Sequence, residues 1–161
     1  MKDKEYKELK SKLQKLVKKW FRPAGFGWWR CDFVYSRERM PDNEDCAAKT
    51  IAEWRYSHAT ITFYMPVLVN LSDEELEHTF VHELCHLTAS GYPNFNDTDD
   101  GVARFEKTVD DFAKHIIWAA EHVKADGLQP SVKVRANTEV KSKLAPKTKD
   151  RLIEKETQSE G

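Results

Sequence analysis

Thiol pairing has little to work with in this chain, which carries only Cys31, Cys46 and Cys85 and no C-x-x-C spacing. An odd, scattered set excludes a disulfide framework and a thiolate zinc cage, and it predicts a reducing compartment. Long apolar runs are also missing. None reaches the roughly 18–20 residues that a membrane-spanning helix needs. The start, Met1-Lys-Asp-Lys-Glu-Tyr6, lacks the apolar stretch of a secretory signal, so a cytoplasmic location is expected. Neither sign of charge prevails: 26 Lys and Arg stand against 27 Asp and Glu, a formal net charge of -1. That balance gives no global attraction to nucleic acid or to an anionic membrane. Internal repeats are absent.

The 161 residues fit one domain, and five Trp, five Tyr and eight Phe predict a core rich in large rings. Lysines crowd the first twenty residues and recur after Lys133, while acids dominate between Pro41 and Asp111. Contact with nucleic acid through these basic ends stays open as an accessory role. Residues 1–127 carry the apolar patterning and form the expected domain. Residues 128–161 are polar and lysine-rich and are expected to be a weakly ordered tail.

The patterning predicts an α+β fold. Tyr6, Leu9, Leu13, Leu16, Val17 and Trp20 recur at helical spacing, so an N-terminal helix should pack one stripe and leave lysines in water. Trp29, Cys31, Phe33 and Tyr35 alternate with polar neighbours as in a half-buried strand. Arg37 to Lys49 reads as a loop. Ile51–Tyr56 and Ala59–Tyr64, separated by Ser57 and His58, read as an antiparallel hairpin, completing a small, mainly antiparallel sheet of about three strands. The strand Ala59–Tyr64 is expected to present a free edge to an extended substrate.

Ser72 with Glu75 forms a capping box, flanked by Leu71 and Leu76 as a hydrophobic staple. The helix it opens should run from about Asp73 to Ala89 and stop at Gly91. After a polar loop, Thr98 or Asp100 should cap a longer amphipathic helix through Phe105, Val109, Ala113 and Ile116, stopping at Gly127.

The first of these helices holds His82-Glu83-Leu84-Cys85-His86. Residues four apart lie about 40° apart around a helix axis and roughly 6 Å along it, so both imidazoles can reach one ion. Glu83 can then act on water held by that ion, first as base and then as acid. With 6 His in the chain, the chance expectation for this motif is about 0.02 matches. A third ligand is required. The metzincin pattern fails, because Ala89 and Tyr92 stand where it needs glycine and histidine. A Glu-x-x-x-Asp pattern on the following helix succeeds: Glu106 as ligand, with Asp110 accepting a hydrogen bond from a ligating imidazole. By rotation, His115 and His122 point about 180° and 160° away from Glu106. His78, His58 and Cys85 read as packing or turn residues. Tyr92, Tyr64 and His58 are candidates to steady an oxyanion.

This order of strands, His-Glu-x-x-His helix and Glu-bearing helix resembles the minimal gluzincin metallopeptidases. Glu106 to Ala113 is similar to the Glu-x-x-Ala-Asn-x-Phe-Ala signature of the ImmA/IrrE-type peptidases, with Val109 for the usual Ala and Asp110 for the usual Asn. SprT-like peptidases share the helix motif. The resemblance covers roughly residues 59–117. It implies a zincin-like fold, a Zn2+ cofactor, cleavage of a protein or peptide substrate such as a cytosolic regulator, and a phage or mobile-element setting. Zinc-dependent peptide hydrolysis is thus the leading expectation. The alternatives are a zinc-stabilised regulatory or binding module that does not cleave, and an interaction protein in which the motif is accidental. Oligomeric state is not legible.

Overall fold

A computed structural model describes residues 1–91 and 98–125, which lie within one compact unit, Met1–Gln129. The expected tail at 128–161, the Gly127 stop, Tyr92 and most of the loop before Thr98 fall outside the described residues. Helix α1 (Asp3–Leu16) buries Leu9 and Leu13 and turns its lysines outward, as the spacing predicts. One wider turn, Val17–Phe21, continues it. That change of pitch rotates Trp20 into the core, where its indole N–H donates to Glu77 Oε1 at 2.5 Å. Gly25, at φ 92°, then reverses the chain in a conformation that favours glycine.

The sheet has three strands, β1 (Arg30–Ser36), β2 (Ala48–Glu53) and β3 (His58–Tyr64), in the order β1-β3-β2. It is α+β as expected, but the sheet is mixed: β1 runs parallel to β3 and β2 antiparallel to it. Loop 37–47 bridges two strand spacings, roughly 10 Å, and β3 fills the gap left between. Strand β2 lies earlier than the patterning suggests. Trp54–Tyr56 forms a tight helical turn closed by Ser57 at φ 49°, so the hairpin pairs Glu53 with His58. Strand β3 is therefore central, and the free edge expected on it is absent; the sheet's edges are β1 and β2. Charge placement accords with this. The outward residues of β1 and β2 include Arg30, Asp32, Lys49 and Glu53, whereas β3 carries Thr60 and Thr62 there.

After the short helix α2 (Met65–Leu68), α3 spans Asp73–Ala89 with the anticipated boundaries. Ser72 accepts from the Glu75 amide and Glu75 reaches back to the Ser72 amide, which satisfies two otherwise orphaned donors. Helix α3 packs on the sheet with one face and on α4 (Asp99–Ala125) with another, which is why most of its second half is buried, Glu83 included. Phe80 stacks on Phe63 at 5.7 Å and Phe33 at 6.2 Å, at the centre of the ring-rich core. Thr98, not Asp100, caps α4: its hydroxyl accepts from the Gly101 amide at 3.1 Å. Among the described residues, no helix is long and apolar enough to cross a membrane.

Candidate metal centre and cleft

His82 and His86 occupy successive turns of α3, and Glu106 lies early in α4. Their tips converge. His82 Nε2 is 3.2 Å from His86 Nε2 and 3.2 Å from Glu106 Oε2, and His86 Nε2 is 3.5 Å from the same oxygen. Bonds of about 2.0–2.1 Å to a tetrahedral zinc ion set donor-to-donor edges of roughly 3.3–3.4 Å. The observed triangle has that size, and two imidazole nitrogens with one carboxylate oxygen are a zinc donor set that leaves one position open. The structure thus brings together the three residues expected from the sequence as ligands.

The electrostatics follow from the same contacts. Hydrogen bonds from both histidines hold the Glu106 carboxyl down at about 2, well below the usual carboxylate range. Burial opposes the His82 imidazolium, but the Glu106 bond and the charges of Glu83, Glu106 and Asp110 outweigh it, so its pKa is raised. Glu83 differs. It is only 6% exposed, and burial raises its pKa against the Thr50 hydrogen bond and the two histidines.

Asp110 sits elsewhere than expected. It bonds Lys114 Nζ at 2.6 Å and lies 3.1 Å from His78 Nε2, without the alignment of a hydrogen bond. Helices α3 and α4 run antiparallel here, so one turn forward from Glu106 meets one turn back from His82. Asp110 therefore abuts His78 and not a second nitrogen of His82 or His86. His58 pairs with Asp32 on β1, the strand far from the cleft. Cys85 is buried, its thiol pushed up to about 12 by burial, as a packing residue should be. His122 folds back onto its own helix, its ring stacked on Trp118 at 4.1 Å.

A cleft of about 510 Å³ opens over the donors. Helices α3 and α4 form one wall with His82, Glu83, His86, Phe105 and Glu106. Strand β2 and the loop before it form the other with Asn43, Cys46, Lys49 and Thr50. Thr50 Oγ1 lies 2.6 Å from Glu83 Oε2 and 3.1 Å from the Glu83 carbonyl oxygen. Sequence reading missed this wall, because residues 37–49 are charged and read as a loop. The available signal was the inward series Ala48, Thr50, Ala52, small residues at period two.

No protein-family model, curated protein or solved structure matches this chain.

Proposed function

We propose that this protein is a metal-dependent hydrolase. More narrowly, it reads as a zinc peptidase of the gluzincin type, with a donor order similar to that of ImmA/IrrE-type peptidases and a helix motif shared with SprT-like ones. The observation that carries this is the convergence of His82 Nε2, His86 Nε2 and Glu106 Oε2 on one point, beside a buried carboxylate in the same cleft. Zinc held there would supply Lewis acidity toward a carbonyl oxygen and toward water.

Glu83 is the proton carrier in this reading. Burial raises its affinity for a proton, which suits a group that takes one from water and delivers it to a departing amine. The β2 edge beside the cleft would align an extended chain through backbone hydrogen bonds, so the substrate class is an unfolded or loop segment of a protein. Three free cysteines accord with a reducing, cytoplasmic setting.

A zinc-stabilised binding module that does not cleave is the second reading. Burial of Glu83 beside the donors weighs against it, because a purely structural site gains nothing from a buried carboxylate that costs stability. The test is cleavage mapping by mass spectrometry on a denatured proteome, with zinc-loaded wild type against Glu83→Gln. Cleavage by wild type alone, with one zinc in each protein, is expected. Equal cleavage by the variant, or none by either, rejects the peptidase reading.

A further inference from the structure

We infer that Thr50 is a positioning residue for Glu83, tying the proton carrier of α3 to the edge strand that borders the cleft. The inference rests on the peptidase reading but adds a residue outside the His-Glu-x-x-His motif, from a separate element.

All three inward residues of β2 are small: Ala48, Thr50 and Ala52. Helix α3 can therefore lie close to the strand, and a side chain as short as threonine reaches it. A hydroxyl has one proton to donate, and 2.6 Å to Glu83 Oε2 against 3.1 Å to the Glu83 carbonyl assigns it to the carboxylate. A charge-assisted bond of that length fixes one oxygen of the carboxylate. Among the described residues Oε1 has no bonded partner, so it stays free for proton transfer.

Two consequences follow. The carboxylate is held in one rotamer, as a group that moves a proton over about 3 Å must be. The hold also comes from the strand whose free edge would seat the substrate, so a shift of β2 moves Glu83 with it. The contact thus couples substrate alignment to the base. Cys46 and Lys49 line the same wall, but neither bonds Glu83, which leaves the positioning to Thr50.

The test compares Thr50→Val, which keeps the shape and removes the donor, with Thr50→Ser, which keeps the donor. Each is read for bound zinc, for melting temperature, and for kcat and KM on a quenched-fluorescence peptide cut by the wild type. Thr50→Val should bind one zinc, keep KM within about twofold and lose kcat by about 10- to 100-fold, the size of loss typical of a partner that orients a working group and below that of removing the base itself. Thr50→Ser should return kcat to within about threefold of wild type. A kcat for Thr50→Val within about twofold of wild type, or a Thr50→Ser variant as slow as Thr50→Val, overturns the inference.

A melting cycle on metal-free protein reads the bond without any turnover. Thr50→Val should lower the melting temperature by several degrees when Glu83 is present and by much less in a Glu83→Ala background. Equal shifts in the two backgrounds overturn the inference even if wild type is active. A zinc-loaded wild type that cuts nothing rejects the peptidase reading, and with it the catalytic role of Thr50, while the cycle still decides the bond.

Discussion

Glu83 is the residue at which cost and use meet. Its carboxyl is buried, and its folded-state pKa lies above the ordinary 4.5. The folded chain therefore binds that proton more tightly than the unfolded chain does, and metal-free stability falls as pH rises from about 4.5 through the folded-state value. Glu83→Gln removes this penalty while keeping an oxygen for Thr50. It should melt a few degrees higher than wild type near pH 7 and lose that advantage near pH 4, by calorimetry on metal-free samples. Glu106 has the opposite sign. Its depressed pKa contributes stability above the ordinary value that is lost as pH falls toward about 2, and its exposure keeps the term small. The proposed ligands are tested by metal affinity. His82→Ala, His86→Ala and Glu106→Ala should each weaken zinc binding by roughly 100-fold or more, beyond the loss typical of a residue that only orients a ligand. Asp110→Ala should change it far less, since Asp110 bonds Lys114 and abuts His78.

The α3–α4 pair carries the donors, and its signals were local enough to read. Ser72 and Glu75 marked the start of α3, periodicity carried it to Ala89, and four-residue spacing put the histidines on one face. Glu106 was found from a Glu-x-x-x-Asp pattern on the next amphipathic helix. The partner of Asp110 was not, because spacing along one helix says nothing of the direction of the next. The sheet was legible in parts. Alternation identified β1 and β3, but pairing order is a long-range property, and the edge and centre could be separated only by which strand carries charge. Ser72→Ala should cost about 1 kcal/mol by denaturant titration. Phe80→Ala, at the centre of the ring stack between sheet and helix, should cost about 3–5 kcal/mol. The two changes touch separate places, so the double variant should show their sum.

At the scale of the whole molecule, two antiparallel helices on one side and a strand edge on the other leave a cleft with three donors at its floor. A ligand that binds the folded chain alone stabilises it by mass action. Zinc at 100 times its dissociation constant would contribute about 2.7 kcal/mol, so adding a chelator should lower the melting temperature by roughly 5–10 °C for a chain of this size. The most direct measurement is the zinc K-edge absorption spectrum of the stoichiometric complex. Nitrogen and oxygen neighbours at about 2.0–2.1 Å, with the multiple scattering of two imidazoles and no sulfur, are the expected result. A sulfur shell near 2.3 Å, or failure to form a one-to-one complex at all, would contradict a site built from His82, His86 and Glu106.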